Sequence, residues 1–462
     1  VLSVIIVIWL VRKYDNPTYK ISWIIVILLL PLFGGLFYLL WGNTPFNRAR
    51  TQHKYEPQPP DFTEYRLMPA TEALAQEDPR HAARARYITA LDGMPAWTNT
   101  EAHYFRVGED MFASMCEELW QAHKFIFLEY FIIEEGIMWN TILDILQEKV
   151  REGVDVRILY DDVGSIATLP QNYDRFLASL GIRAVRFNRF IPTLNTYLNY
   201  RNHRKMMIID GNVGYMGGIN LADEYINEKV RFGHWKDTGI MVKGDAVTSF
   251  TMMFLQMWNI TEKEPEDYGR YLRDPEFFYP PELSMEGFVI PYGDSPLDQE
   301  AVGELVYLDI INTARNYVHI MTPYLILNYE LVQALQFAAK RGVETIIIMP
   351  HIPDKEYAFL LAKAHYEELI RAGVQIYEYT PGFLHAKVFT SDDEKAVVGT
   401  INMDYRSLYL HFECAAYIYR NEVIKDVERD FKETLAKSQV ITLEECRHYP
   451  WYKKFAGRVL RL

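Results

Sequence analysis

Cysteine is scarce in this sequence, and no two cysteines lie close together. Only Cys116, Cys414 and Cys446 occur in 462 residues, an odd number without any Cys-x2-Cys pair. This scarcity argues against a disulfide framework and against a cysteine zinc cluster. A reducing compartment is the environment that fits best.

An excess of positive charge is also missing. The formal net charge is −13, from 48 Lys and Arg against 61 Asp and Glu. Affinity for a nucleic-acid backbone comes mainly from a basic surface, so this balance argues against a nucleic-acid binder. It does not argue against a small site for one phosphate group.

Charged residues are absent from Ile21 to Asn47. At 1.5 Å per residue, Ile21 to Trp41 covers roughly the 30 Å hydrocarbon thickness of a bilayer. We therefore predict a transmembrane helix there, with a kink near Pro31 and Gly34-Gly35. The basic residues on its two sides are balanced, so they give no orientation.

The residues before this helix, Val1 to Val11, are apolar but too few to span a bilayer, and the chain does not begin with Met. We interpret them as the end of another spanning helix whose start is missing. Residues 1–42 are thus predicted to form a transmembrane hairpin with a truncated first helix. The alternative is a signal peptide followed by a buried helix.

After a linker the chain repeats one pattern of strands and helices. In the first copy "KFIFLEYFII", "WNTILDILQEKVREG" and "VDVRILYDD" read as strand, helix and strand, and "YVHIMTPYLI", "YELVQALQFAAKRG" and "VETIIIMPH" repeat that order. Such alternation is typical of α/β units around a buried sheet. We predict two homologous α-β-α domains related by a pseudo-two-fold axis.

The predicted boundaries follow from this repeat. The linker covers residues 43–92 and contains a possible short helix at "TEALAQ". The first domain covers residues 93–265, a connector covers 266–286, and the second domain covers 287–435. Residues 436–462 form a tail.

Two segments have alternative interpretations. The first copy inserts about ten extra residues, within 189–202, before its polar motif. We favour a packed loop there over a contact with lipid. The tail mixes basic and aromatic residues, which is typical of a helix on an anionic membrane surface, but a helix packed on the second domain explains it equally well.

Each copy carries the same polar motif. "HRKMMIID" runs from His203 to Asp210, and "HAKVFTSD" runs from His385 to Asp392. Both continue through six residues to Gly-[Gly/Thr]-x-Asn, which ends at Asn220 and at Asn402. Six matched positions at equivalent places in a repeat indicate a shared site built from both halves.

The residue types favour phosphate chemistry. In a strand the His and the Lys of each motif share one face. An ammonium group repels a metal cation but suits a phosphodiester, so neither a metal nor another cofactor is required. Histidine titrates near neutral pH, so one imidazole could attack phosphorus while the other transfers the proton of the alcohol.

The histidines also need carboxylates to orient them. Asp237 and Glu413 follow the two motifs at aligned positions and are candidates for this role. Asp210 and Asp392 are either part of the catalytic set or a brace for the turn behind each motif. Three further histidines lie beside strand-like runs, His234, His319 and His411; they could line the cleft, but a structural role is expected for each.

These residues resemble the HKD signature of the phospholipase D superfamily. The layout of a hydrophobic hairpin followed by two such halves resembles the bacterial cardiolipin synthase family, as do "HWKDT", "TPYLI" and "GTINMDYRSLYLHFE". The resemblance implies that one phosphatidylglycerol gives its phosphatidyl group to another through a phosphohistidine, forming cardiolipin and glycerol. It further implies that His203 is the nucleophile and His385 the general acid and base.

The complete prediction has two sets of site residues. The catalytic set is His203, Lys205, Asp210, His385, Lys387 and Asp392. The set that supports the phosphate or the catalytic residues is Gly218, Asn220, Asp237, Thr400, Asn402 and Glu413.

The predicted partners are phosphatidylglycerol and other membrane lipids, with no nucleic acid. We expect a multi-pass protein of the cell membrane with its catalytic domains on the cytoplasmic side, and a homo-oligomer is compatible with the sequence. A phospholipase D-type hydrolase, a nuclease of the same superfamily and an inactive membrane scaffold are the competing interpretations. The acidic composition disfavours the nuclease, and two intact motifs disfavour the scaffold.

Overall fold

The computed structural model describes residues 2–13, 17–42, 70–190, 199–262, 266–272, 286–297 and 300–460. Most of the predicted linker, most of the 189–202 insertion and most of the connector lie outside these described residues. Every predicted site residue lies inside them.

The helices occur in four groups along the chain. N-terminal helices are α1 (Leu2–Arg12), α2 (Pro17–Leu29), α3 (Gly34–Trp41), α4 (Thr71–Glu77) and α5 (Pro79–Asp92). The first half has α6 (Gly108–Trp120), α7 (Ile137–Arg151), α8 (Asp162–Ser165), α9 (Tyr173–Ser179) and α10 (Val247–Glu262). The second half has α11 (Val302–Thr313), α12 (Tyr329–Lys340), α13 (Glu356–Arg371), α14 (Tyr405–Tyr409) and α15 (Val423–Leu435), and α16 (Leu443–His448) and α17 (Trp451–Leu460) follow.

The strands divide between the two halves. The first half has β1 (Thr100–Phe105), β2 (Phe125–Tyr130), β3 (Asp155–Asp161), β4 (Arg183–Phe187), β5 (Arg201–Asn202), β6 (Met206–Ile209), β7 (Val213–Gly217), β8 (His234–Lys236) and β9 (Gly239–Gly244). The second half has β10 (Phe288–Asp294), β11 (Tyr317–Met321), β12 (Glu344–Pro350), β13 (Gln375–Tyr379), β14 (Gly382–Leu384), β15 (Val388–Ser391), β16 (Lys395–Gly399) and β17 (His411–Tyr419), and β18 (Ser438–Val440) follows.

The N-terminal segment differs from its prediction. The helix expected over Ile21 to Trp41 is divided at the predicted kink, because α2 ends before Pro31. The helix α3 packs against α2, with the ring of Tyr38 5.1 Å from that of Trp23. Gly34 lies so close to α2 that a β-carbon there would be 2.6 Å from the Cα of Ile27. Within the described residues, no helix is both long enough and apolar enough to cross a membrane.

The end of the predicted linker is ordered. The "TEALAQ" stretch forms the predicted helix α4, and α5 follows it with the Asp78 side chain as N-cap. Leu74, Ala82 and Ile88 are buried in the core of the second half. The hydroxyl of Tyr419 on β17 donates to Asp78 at 2.9 Å. Residues 71–92 therefore belong structurally with the second half.

The two halves have sheets with the same strand order. The first sheet runs β1-β9-β7-β6-β2-β3-β4, and the second runs β10-β17-β16-β15-β11-β12-β13 and adds β18 at its edge. In each, the three strands that alternate with helices are parallel and the remaining pairs are antiparallel. Helices cover these sheets, which is why "FIFLEY" in β2 is buried at every position. The predicted two-domain α/β fold is confirmed.

The halves share one core and exchange polar contacts. One cluster of buried side chains includes Met206 and Met216 of the first half together with Val388 and Val398 of the second. Across the same interface, the buried ammonium of Lys236 donates to Asp430 on α15 at 2.7 Å, and the hydroxyl of Tyr104 donates to the same carboxylate at 2.7 Å.

The tail forms two helices, and α17 packs on α13. A β-carbon on Gly457 would be 2.7 Å from the carbonyl oxygen of Leu360, so glycine allows this close approach. Of the two arrangements considered for the tail, this is the helix packed on the second domain. Trp451 and Tyr452 nevertheless remain exposed at the start of α17.

Candidate active site

Two short parallel strand pairs connect the halves immediately before the two motif histidines. In the first pair, β5 lies beside the start of β17, with Asn202 opposite Phe412. In the second, β14 lies beside β8, with Leu384 opposite Lys236. One residue further along each pair, His203 comes beside Glu413 and His385 comes beside Asp237. Each histidine therefore meets a carboxylate of the other half.

Hydrogen bonds complete this arrangement at His203. Its backbone amide donates to the carbonyl of Phe412 at 2.9 Å, and its Nδ1 lies 2.9 Å from both carboxylate oxygens of Glu413. The Thr400 hydroxyl donates to the same carboxylate. An ionised Glu413 keeps the proton on Nδ1, which leaves the lone pair on Nε2 for a substrate.

His385 has the equivalent arrangement. Its backbone amide donates to the carbonyl of Lys236 at 2.7 Å, and its Nδ1 lies 2.6 Å from Oδ2 of Asp237. Asp237 also explains why glycine stands at 218, the position that Thr400 occupies in the other motif. A β-carbon at Gly218 would lie 2.1 Å from Oδ1 of Asp237.

Burial determines the protonation of both imidazoles. It lowers the pKa of His385 to about 4 and the pKa of His203 well below 6.5, and nearby lysine charges add to the effect. Burial alone would raise the pKa values of Glu413 and Asp237, but neighbouring charges and hydrogen-bond donors hold both below their ordinary values. At neutral pH the site thus contains two neutral imidazoles and two ionised carboxylates.

The two motif lysines are buried beside the histidines. Lys205 Nζ donates to the carbonyl of His203 at 2.6 Å, and Lys387 Nζ donates to the carbonyl of His385. Burial lowers the pKa of Lys205 to about 7 and the pKa of Lys387 to about 8, and the charge of Lys387 contributes to the lowering at Lys205. Groups of the two motifs are therefore within electrostatic reach of each other, and a bound anion would hold both lysines protonated.

The two motif asparagines differ in their contacts. Both polar atoms of the Asn220 side chain are hydrogen-bonded within the protein. Its Oδ1 accepts from the amide of Ile132 at 3.0 Å, and its Nδ2 donates to the Tyr225 hydroxyl at 2.6 Å. Oδ1 of Asn402 is buried and has no hydrogen-bond partner among the described residues. A phosphate oxygen accepts hydrogen bonds, so only the Nδ2 group of Asn402 could donate to it, whereas Nδ2 of Asn220 is already engaged by Tyr225.

The motif aspartates contact backbone rather than the histidines. Asp210 accepts from the amides of His123, Lys124 and Phe125 at 2.7–2.8 Å, immediately before β2. Asp392 accepts from the amides of residues 315–317 at 2.8–3.1 Å, before β11. Both adopt positive φ angles, 54° and 58°. Of the two roles that the sequence left open, these contacts favour the brace over the catalytic role.

We expect the Asp210→Ala variant to lose about 2–4 kcal/mol of unfolding free energy, because three amides would lose a charged acceptor. The Asp210→Asn variant should lose less, since asparagine tolerates the left-handed backbone and keeps one acceptor. Urea unfolding in detergent measures both. A large loss of activity at unchanged stability would instead place Asp210 in the chemistry.

The structural role expected for His411 is the less favoured interpretation once its position is seen, because it lies beside the first motif. Its ring lies 5.4 Å from that of His203, and its Nδ1 is 3.6 Å from Glu413. Both of its ring nitrogens are buried without a hydrogen-bond partner in the part of the chain that the structure describes. The available signal was its place two residues before Glu413, which puts both side chains on one face of β17.

The same three residues offer donor atoms for a metal. Those of His203, His411 and Glu413 lie within 4.8 Å of one another. The positive charge of Lys205 acts on this cluster and would oppose a divalent cation there. We therefore assign no metal to it.

Aromatic rings enclose both histidines. The Phe131 ring lies 5.0 Å from His203, and the rings of Tyr225, Trp235 and Phe383 lie 5.5–5.7 Å from His385. The surroundings of His385 are therefore more aromatic than those of His203. Neither His234 nor His319 contacts the imidazoles of the two motifs: His234 meets Tyr379, and His319 is held between Glu344 and Glu428.

Comparison with known proteins identifies the family. The family model described as "Cardiolipin synthase, PLD-like domain" matches residues 115–258 and 307–435, and the one described as "Phospholipase_D-nuclease N-terminal" matches residues 1–43. An uncharacterized protein of Streptococcus mutans is 48% identical over 99% of this chain and 98% of its own length. A cardiolipin synthase of Geobacillus kaustophilus is 34% identical over 99% of this chain and 91% of its own length.

The fold has a solved counterpart. The phosphatidylserine synthase of Haemophilus influenzae superposes with a TM-score of 0.61 at 14% identity, covering 82% of this chain and 99% of that one. At this identity the likeness extends to the fold alone.

Proposed function

The chain belongs to the cardiolipin synthase family of the phospholipase D superfamily, and on this premise we propose that it makes cardiolipin and glycerol from two phosphatidylglycerol molecules. The observation that carries the proposal is the reciprocal arrangement of the two histidines. Each imidazole is fixed by a carboxylate of the opposite half, and the charge of Lys205 in the first motif acts on His385 in the second, which supports one shared site.

In the first step Nε2 of His203 attacks the phosphorus of one phosphatidylglycerol. The bond between phosphorus and the head-group oxygen breaks, and His385 donates a proton to that oxygen. Glycerol leaves, and the phosphatidyl group remains on His203. The negative charge of the bound phosphate raises the pKa of His385 above its value in the free site, which allows it to carry this proton.

In the second step His385 removes a proton from the glycerol hydroxyl of another phosphatidylglycerol. The hydroxyl oxygen attacks phosphorus, the phosphorus–nitrogen bond breaks, and cardiolipin leaves. His203 is neutral again, and His385 holds the proton of that hydroxyl, which replaces the proton that left with glycerol. Lys205, Lys387 and Asn402 supply positive charge and hydrogen-bond donors to the phosphate oxygens in both steps.

The same site could hydrolyse the intermediate if water replaced the alcohol. The aromatic rings around His385 favour an alcohol with an apolar tail over water. Incubating the solubilised full-length protein with phosphatidylglycerol and a metal chelator separates the two reactions. Equal amounts of cardiolipin and glycerol support the proposal, and phosphatidic acid as the main product would support hydrolysis.

We also propose that α1 to α3 anchor the protein in the cell membrane as a multi-pass segment. In support, Leu28, Leu29 and Leu32 are exposed apolar side chains on a stretch without charge. The catalytic halves are proposed to lie in the cytoplasm, where a reducing environment suits the three free cysteines. A homo-oligomer stays a prediction. The mass of the protein particle in detergent would give the number of subunits.

The pKa values of the lysines predict a pH dependence. As pH rises through about 7 to 8, the free site loses the protons of Lys205 and then Lys387, so kcat/KM should fall. The bound phosphate holds these protons, so kcat should fall only at higher pH. Rates in mixed micelles between about pH 6 and 10 measure both quantities. A kcat/KM that stays constant to about pH 10 would contradict protonated lysines as phosphate ligands.

A further inference from the structure

Exposed apolar side chains surround the active site at one edge of the two sheets. The catalytic site lies at the carboxyl ends of the parallel strands: Phe131 directly follows β2 and its ring contacts His203. In the second half, Asp354 follows β12, is hydrogen-bonded by Tyr324 at 2.6 Å, and is one of the charges that act on Lys387. Segments that follow these strands therefore form the mouth of the site.

Five large apolar side chains on these segments, and a sixth on the segment between β7 and β8, are exposed to solvent, and we call them the rim. They are Val163, Ile166, Phe190, Val230, Ile352 and Tyr357. Val230 is the most exposed of them, at 81% of its surface, and Ile166 is 57% exposed. Apolar surface concentrated around one opening marks an interaction site.

The first-half members of the rim are held in place by named contacts. The amide of Phe190 donates to Asp162 at 2.7 Å, which fixes it beside α8 and hence beside Val163. The segment with Val230 is tied to the end of β2 by the ion pair between Lys229 and Glu134 at 2.6 Å. The rim is therefore part of the folded surface around the site.

We propose that the rim inserts into the head-group region of a phospholipid bilayer and holds the opening of the active site against the membrane surface. This rests on the proposed function, because the phosphate of a bilayer lipid lies at the head-group level, where side chains of an interfacial surface reach about 5–10 Å deep. The net charge of −13 disfavours attraction of the whole protein to an anionic bilayer. Apolar insertion is the contact that remains available, because Lys229 and Arg231 beside Val230 already pair with Glu134 and Glu224.

The first test compares two forms of phosphatidylglycerol. The Ile166→Asp/Val230→Asp double variant of the full chain should lose about tenfold or more in rate on bilayer phosphatidylglycerol and change little on a short-chain form dissolved as monomers. The matched control is Trp120→Asp/Phe337→Asp, which changes two similarly exposed side chains near the opposite edge. Equal losses on both substrates, or no loss on either, would overturn the proposal.

The second test needs no enzymatic activity. The full chain in a lipid nanodisc carries a fluorophore on Val230→Cys, with Cys116 and Cys446 replaced by serine. Quenchers attached to lipids near the head group should reduce its fluorescence, whereas iodide in water should have little effect. Quenching by iodide alone would overturn the proposal even if cardiolipin is made, and absence of cardiolipin from the wild type would refute the function while leaving this test valid.

Discussion

The His203→Ala variant is expected to lose cardiolipin formation by at least about 10⁴-fold, because the nucleophile that divides the transfer into two steps is removed. The rate of glycerol release from phosphatidylglycerol measures this loss. The matched control is His234→Ala, which removes a histidine that contacts Tyr379 and neither catalytic imidazole, and it should keep most of the activity.

A covalent label separates the roles of the two histidines. With an activated donor whose leaving group needs no proton, the His385→Ala variant should accumulate a phosphatidyl group on the peptide that contains His203. The His203→Ala variant should accumulate none. The reverse pattern, with label at His385 only, would show that the two roles are exchanged.

The carboxylates are expected to behave as partners of the histidines in the opposite half. Glu413→Gln should lower kcat by about 10²–10⁴-fold, because an amide can donate to Nδ1 and so move the lone pair away from Nε2. It should also prevent labelling of His203, although Glu413 belongs to the second half. Asp237→Asn should lower turnover similarly but permit labelling of His203 by the activated donor, since His385 is not needed for that step.

Glu129→Gln is the matched control for these amide substitutions. Glu129 is a fully buried carboxylate next to the first motif and accepts from Asn202, but it does not contact either histidine. Because burial raises its pKa to about 7, the amide replaces a group that is partly neutral already. Activity close to wild type is expected, and a loss as large as that of Glu413→Gln would mean that any change in the buried network disables the site.

The sequence predicted the repeated strands and helices because their hydrophobic patterns are local and long. "VDVRILYDD" and "VETIIIMPH" are both buried parallel strands in the structure, and the helices before them lie where periodicity put them. It also supplied both members of each histidine–carboxylate pair. It could not show that the pairs cross between halves.

That crossing depends on β5, β8 and β14, which are two or three residues long. Strands so short have no readable pattern of their own, and their partners are determined only when the two halves pack. The same limit applies to Gly218. The reason for a glycine there is visible only in the folded protein, where the Asp237 side chain leaves no space for a β-carbon.

The N-terminal segment differs from its prediction for another reason. Its apolar composition predicted one spanning helix with a kink near Pro31 and Gly34-Gly35, but composition does not record that Gly34 permits a close backbone contact between α3 and α2. Residues 71–92 were assigned to a linker because of their mixed charge. Their few buried side chains, such as Leu74 and Ile88, are nevertheless enough to dock two helices on the second half.

The most direct measurement of the central claim is an experimental structure of the protein with orthovanadate, which imitates a phosphate during transfer. If the two imidazoles act on one phosphorus, a single vanadium atom should lie between Nε2 of His203 and Nε2 of His385, with Lys205 and Lys387 at its other oxygens. Vanadate bound by the residues of one half alone, with the other histidine out of reach, would contradict the account.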